Sequence, residues 1–215
     1  SGFEKKFLFS KLFLSNLTKS KPKFSFISLK ILNKISNSYI NIFLKFIYIQ
    51  IMTIFIKNKE TLIFDQFEFK CAIGKNGKSL NKIEGDKKTP KGTFSIGNLY
   101  FRKDRHPKPD TKIKCIPIKR YMGWCDDTKD PKNYNKLIKI KKNIKHEKLY
   151  RNDKKYDFLI PISYNTKQRI IGKGSAIFIH LTNNYNNTSG CIALKKKDFL
   201  ILAKIIDKKT LIKIN

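Results

Sequence analysis

A regular hydrophobic alternation runs through residues 67–73, where Phe67, Phe69, Cys71 and Ile73 alternate with Glu68, Lys70 and Ala72. A period of two sends successive side chains to opposite faces, so this stretch predicts a half-buried strand. The GKNG that follows, from Gly74 to Gly77, predicts a turn. Shorter apolar runs at 93–96, 113–118, 137–140 and 158–162 read as further strands, and 211–214 as a last one. The run AIFIH at 176–180 has the continuous apolar character of a buried strand and ends on the polar His180. A helical period is kept by Phe199, Leu202, Ala203 and Ile206, which predicts an amphipathic helix over 196–206. Many short strands with one clear helix predict a mainly-β (α+β) architecture, a sandwich or barrel.

The N-terminal part has a different pattern. Residues 1–38 carry Glu4 as their only acid among many Lys, and residues 40–56 form an apolar run broken by Asn41, Lys45 and Gln50. A membrane span needs about 20 mostly apolar residues. A basic flank before an apolar run also fits a signal segment. A third reading is upstream sequence translated ahead of Met52. The composition changes at Met52, which divides the chain into an extension, 1–51, and a domain, 52–215. The expectation for the extension is a membrane anchor through residues 40–56, a signal segment or translated upstream sequence.

Charge changes the picture less than its size suggests. Lys and Arg number 47 against 16 acids, a formal net charge of +31. Such a balance points to a polyanion partner when the charge is clustered. Here the cations are mostly Lys and scattered along the whole chain, which reads as biased composition. Neither zinc-finger spacing nor a Lys/Arg stripe interleaved with aromatics is present, so no specific nucleic-acid partner is expected. Cys71, Cys115, Cys125 and Cys191 include no C-x-x-C pair and stand beside only three His, which argues against a structural zinc site. Two disulfides would allow three connectivities; the expectation is that at least one thiol stays free.

The chemically informative stretch is GSAIFIHLTNNYNNTSGCIAL, residues 174–194. A strand delivers His180, a polar loop follows, and the loop closes on Thr188-Ser189-Gly190-Cys191 before apolar Ile192. A cysteine nucleophile needs a favoured thiolate, an imidazole to take its proton, and backbone N–H groups facing the oxyanion. Gly190 allows a tight turn and close approach of backbone to substrate. Alone, a Cys beside Gly reads more readily as a small buried apolar residue.

This stretch resembles the signature of the L,D-transpeptidase (YkuD-type) family: His at a strand end, a loop, then Ser/Thr-x-Gly-Cys. The resemblance extends through Cys71-Ala-Ile-Gly-Lys-Asn-Gly, Gly85-Asp-Lys-Lys-Thr-Pro-Lys-Gly-Thr-Phe, Gly123-Trp-Cys-Asp-Asp, Tyr156-Asp and Tyr164-Asn. These blocks look like one subgroup with a T-x-G-C active-site motif. The resemblance implies a YkuD-like β-sandwich or barrel with a helix near the catalytic Cys, and acyl transfer on peptidoglycan stem peptides in the cell envelope or periplasm. Neither metal nor organic cofactor is implied. Cys191 is then the nucleophile and His180 the general base and acid, with Gly190 and Ser189 at the oxyanion turn. Trp124, Asp126, Tyr164, Asn165 and Ser175 are the candidate substrate-binding positions, with a turn that buries Trp124 in the core as the equal alternative for that residue. Water as acceptor would make the same site an L,D-carboxypeptidase or hydrolase. A non-enzymatic cationic wall-binding protein is the rival from another class.

Three departures stand out. Ser189 occupies a position where most members have His, Ala193 one where many have a carboxylate-binding Arg, and the interval from His to Cys is short. A different cation must then meet a substrate carboxylate, or the substrate differs. Glu84-Gly85-Asp86 reads as a turn ahead of Thr89-Pro90, and His146-Glu147 as a solvated pair.

Overall fold

In the computed structural model the described residues are 53–215. The extension, 1–51, falls outside them, and of the apolar run 40–56 only residues 53–56 are described. Those last residues form β1 (Thr53–Ile56), a central strand with Ile54 and Ile56 fully buried. No helix among the described residues is long and apolar enough to cross a membrane.

The first sheet has five strands in the order β3-β2-β1-β15-β6. They are β1, β2 (Thr61–Phe64), β3 (Phe67–Lys70), β6 (Gly92–Ser95) and β15 (Leu211–Ile214). β1 and β15 pair in parallel, and the other neighbours are antiparallel. The second sheet, also of five strands, runs β14-β13-β12-β7-β8. Its members are β7 (Leu99–Phe101), β8 (Cys115–Pro117), β12 (Phe158–Pro161), β13 (Phe178–Leu181) and β14 (Ile192–Leu194). A short parallel pair, β4 (Lys78–Ser79) and β5 (Thr89–Pro90), and a three-stranded sheet of β10 (Leu137–Lys139), β9 (Met122–Cys125) and β11 (His146–Lys148) complete the strands.

The two large sheets face each other over the main core. Alternate residues of the second sheet point into it: Leu99 and Phe101, Phe158 and Ile160, Ile179 and Leu181, Ile192 and Leu194. The intervening residues Tyr100, Leu159 and Phe178 point the other way, into a second cluster with Trp124, Leu149 and Tyr156 under the three-stranded sheet. Burial on both faces explains the continuous apolar runs in the sequence. Bridges close the sandwich where sheet ends meet: Ala72 pairs with Ala193 beyond β3, and Ile96 with Ile162 beyond β6. Pairing of this kind protects strand ends that would otherwise offer unpaired N–H and C=O groups.

The helix α1 (Lys196–Ile205) buries Phe199, Leu202 and Ala203 against the main core, and Phe199 stacks on Phe158 at 5.9 Å. Its expected length is met to within one residue. The alternation at 67–73 holds only in part. Regular pairing stops at Lys70, and Ala72, expected to face solvent, is buried because it bridges to Ala193. All four cysteines are free thiols.

Candidate active site

The site grows from the parallel pairing of β13 and β14, in which His180 lies beside Ala193. Parity puts Phe178 and His180 of β13 on the same face as Cys191 and Ala193, away from the main core. His180 is therefore not a strand-end residue as expected. It is inside the strand, paired with Leu159 on one side and Ala193 on the other, and only 7% exposed.

Cys191 is held at the end of a clamped turn. Thr188 Oγ1 donates to Cys191 O at 2.6 Å and accepts from Gly190 N at 3.1 Å. The Thr188 backbone is tied to the GKNG turn: its N–H donates to Ile73 O at 2.9 Å, and its carbonyl accepts from Lys75 N at 2.9 Å. Gly190 has φ +135°, and a Cβ there would lie 2.8 Å from Lys88 O. Any other residue would be strained and would collide with backbone.

The Cys191 thiol donates to Ala176 O at 3.3 Å and its sulfur accepts from Phe178 N at 3.3 Å. Burial pushes the thiol up to about 12, against the Phe178 N–H and the Lys82 charge, which pull it down. His180 Nδ1 contacts Leu181 O at 2.9 Å. A carbonyl only accepts, so Nδ1 carries the proton and Nε2 keeps its lone pair. Burial lowers His180 to about 4, which keeps the ring neutral at pH 7. Tyr156 packs edge-on against it at 5.3 Å between ring centroids.

No hydrogen bond joins His180 to Cys191. They are diagonal neighbours across the strand pair, a backbone separation of roughly 7–8 Å, and the thiol is engaged by Ala176 O instead. Both side chains line one cleft of about 720 Å³. Catalytic contacts in ligand-free sites are commonly loose and tighten around substrate.

The other expected positions divide. Ser175 lines the cleft and its hydroxyl donates to Glu84 Oε2 at 2.7 Å. Ser189 is exposed on the cleft wall. Asp126 also lines it; its Oδ2 faces Lys145 Nζ at 3.7 Å, its Oδ1 is buried without a partner, and burial raises its carboxyl above the usual range. Trp124 does not line the cleft. It belongs to β9, packs edge-on against Phe178 at 5.3 Å, and donates its indole N–H to Asn135 Oδ1 at 2.9 Å. Tyr164 is also elsewhere, edge-on to Phe94 with its hydroxyl on Lys173 O. Asn165, at φ 51°, organises its own loop by donating to Ile170 O and Gly174 O, both at 2.9 Å. Trp124, Tyr164 and Asn165 thus support the site's frame and do not form its wall, because their polar groups are spent on loop and core partners.

Several wall residues were not expected. Glu84 accepts from Tyr134 OH at 2.6 Å as well as from Ser175. Glu147, read as half of a solvated pair, lies on β11 in the cleft and meets Arg151 at 2.8 Å. Lys82 is almost fully buried against Asp86. Glu84 sat in a segment read as a turn, and nothing distinguished Lys82 among 47 basic residues.

Comparison with known proteins supplies the family context. The sequence model of the YkuD family, the L,D-transpeptidase catalytic domain, matches residues 50–214. No curated protein matches by sequence. Among solved structures, the chain is similar to the helical-cell-shape-determining protein Pgp2 from Campylobacter jejuni, with 20% identity and a TM-score of 0.39 over 76% of this chain and 46% of that one. It is also similar to an L,D-transpeptidase from Mycobacterium smegmatis, with 12% identity and a TM-score of 0.34 over 76% of this chain and 57% of that one. The chain thus spans about half the length of these two structures.

Proposed function

The chain belongs to the family of L,D-transpeptidase (YkuD) catalytic domains, and from that premise we propose that it is a cysteine acyltransferase acting on peptidoglycan stem peptides in the cell envelope. The observation that carries this reading is the meeting of Cys191 and neutral His180 on one face of the β13–β14 pair, in one cleft.

The chemistry runs in two steps. Cys191 Sγ attacks the carbonyl carbon of the amide joining an L-centre to a D-residue, and the thiol proton passes to His180 Nε2. The electron pair of the carbonyl moves to its oxygen, towards the Cys191 N–H, since the Gly190 N–H is engaged by Thr188 Oγ1. Collapse breaks the C–N bond, His180 returns the proton to the leaving amine, and a thioester remains. An amine of a neighbouring stem then attacks the thioester, giving a crosslink and regenerating the thiol. Water in place of the amine gives the carboxypeptidase or hydrolase reaction. The Nδ1 proton held by Leu181 O fixes the tautomer that leaves Nε2 free to act. That Ser175, Ser189 and Asp126 line the cleft supports reading the serines as peptide contacts and Asp126 as the acceptor of a substrate ammonium.

The test is incubation with defined tetrapeptide muropeptides followed by mass spectrometry of protein and products. The expected result is an acyl adduct on Cys191, absent in Cys191→Ala, with crosslinked products for transpeptidation or shortened stems for hydrolysis. Turnover by Cys191→Ala at the wild-type rate would leave the cysteine mechanism without support. Wall binding that survives that substitution without any turnover in the wild type would favour the non-enzymatic rival.

A further inference from the structure

Lys82 lies in the loop between β4 and β5, and its side chain is only 2% exposed. Its stem crosses the face of Gly174, where a Cβ would stand 2.7 Å from Lys82 Cε. Its ammonium reaches the nucleophile turn: Nζ lies 3.5 Å from the position of a Cβ on Gly190. Both glycines have positive φ, +98° and +135°, so side chains are disfavoured at the two points where the lysine passes. The lysine lines the same cleft as Cys191.

A buried charge must have a partner, and Asp86 Oδ1 provides it at 2.6 Å. Asp86 does not neutralise the lysine alone. The same carboxylate also accepts from Lys88 N and Ile83 N, both at 2.9 Å, so its charge is divided among three donors. An ammonium has three donors, and Asp86 is the hydrogen-bond partner found for Lys82 among the described residues. The lysine and the Cys191 thiol are both buried, and between buried groups charge acts more strongly than in water.

The other cations of the cleft are differently placed. Arg151 is occupied by Glu147 at 2.8 Å and by Asp153 at 2.6 Å. Lys145 is 71% exposed, Lys154 and Lys155 are also exposed, and solvent and salt screen all three. His180 is buried and neutral and makes no hydrogen bond to the sulfur, so it does not provide a resting imidazolium for a thiolate. The groups facing Cys191 are Lys82 from the β4–β5 loop, Glu147 from β11, Tyr156 ahead of β12 and His180 from β13. Lys82 is the buried cation in that set.

We infer that Lys82, clamped by Asp86 at the nucleophile turn, is a positioning residue whose charge sets how readily Cys191 exists as a thiolate. The inference rests on the reading of Cys191 as nucleophile. It assigns to Lys82 a role in preparing the nucleophile, separate from that of the His180 base, which receives the proton during attack.

The test is the rate of Cys191 alkylation by iodoacetamide, mapped by mass spectrometry on the full chain from about pH 7 to about pH 9, where the fold holds and the rate follows the thiolate fraction. Lys82→Met keeps the length of the stem and removes the charge. Its labelling rate should fall about tenfold across this range, the equivalent of about one pH unit. Asp86→Asn keeps the lysine and removes its counter-charge, so its rate should rise. A purely structural role would change the amount of folded protein, read by circular dichroism, without moving the rate per folded molecule in either variant. A wild-type rate in folded Lys82→Met overturns the inference. If Lys82→Met does not fold, Asp86→Asn decides, and an unchanged or lowered rate overturns it. A wild-type Cys191 that resists both alkylation and acylation removes the nucleophile reading and this inference together. Wild-type labelling with unmoved variants removes only this one.

Discussion

Ile179 and His180 are adjacent in β13, yet one is sealed in the main core and the other faces the cleft. The same contrast repeats in β14, where Ile192 and Leu194 fill the core while Cys191 and Ala193 lie on the opposite face. One face of this strand pair holds the fold together, and the other carries the chemistry. A slip of one residue in register would exchange them, so the core residues also aim the catalytic ones.

Three substitutions or conditions break this contrast in different ways. His180→Ala should have the largest effect. Acylation by a stem-peptide mimic such as a carbapenem should slow by about 10²- to 10⁴-fold, the usual contribution of a general acid–base group, while the apolar face still folds. Stopped-flow or mass-resolved acylation rates check this, and a wild-type rate would remove the Cys–His mechanism and turn attention to Asp126, the acid in the cleft wall with a free carboxyl oxygen. Ile192→Ala attacks the other face. It should cost about 2–5 kcal/mol in urea unfolding through a cavity in the main core. Its acylation rate, measured on the folded fraction, should change far less than that of His180→Ala.

The third prediction uses pH. His180 falls from 6.5 to about 4 in the folded chain. The unfolded chain therefore takes up a proton near 6.5 that the folded chain refuses until about 4. The stability linked to this group is complete above 6.5 and is lost as pH falls towards 4, on the order of 3 kcal/mol. Cys71 and Cys191 act at the alkaline end. Both rise from 9.0 to about 12 through burial, so stability drops as pH climbs from 9 towards 12. Urea midpoints across this range should form a plateau with two falling limbs. The acid limb should be shallower in His180→Ala, and an identical acid limb in that variant would contradict the buried neutral imidazole.

The contrast was only partly legible in the sequence. The strand at 176–180, the helix and the Gly190-Cys191 turn could be read because turn residues and period leave local marks. The phase of AIFIH could not, because a strand buried on both faces has no polar positions to mark one of them. That is why His180 read as a strand end although β13 continues to Leu181. β1 was concealed in an apolar run that resembles a membrane segment, since a central strand and a short span share the same composition. Trp124 was read as a cleft wall because it stands in a block with a thiol and two acids after Gly123; packing on Phe178 and the bond to Asn135 draw the indole inward. The cleft wall at Glu84 and Lys82 depends on a loop packing against Gly174 and Gly190, a contact between segments about 90 residues apart that leaves no local signal.

The parallel pairing of β1 with β15 also constrains how the chain can be made. Thr53–Ile56 is among the first strands of the domain to leave the ribosome, and its partner Leu211–Ile214 is the last. Until β15 emerges, β1 has one open edge and β6 lacks its neighbour, so the first sheet is split in two. Contacts so distant in sequence close slowly, and an unpaired apolar edge during that interval is prone to wrong partners. Synthesis of this domain therefore passes through a stage in which nearly all of the domain's residues exist and the sheet built on β1 and β15 does not.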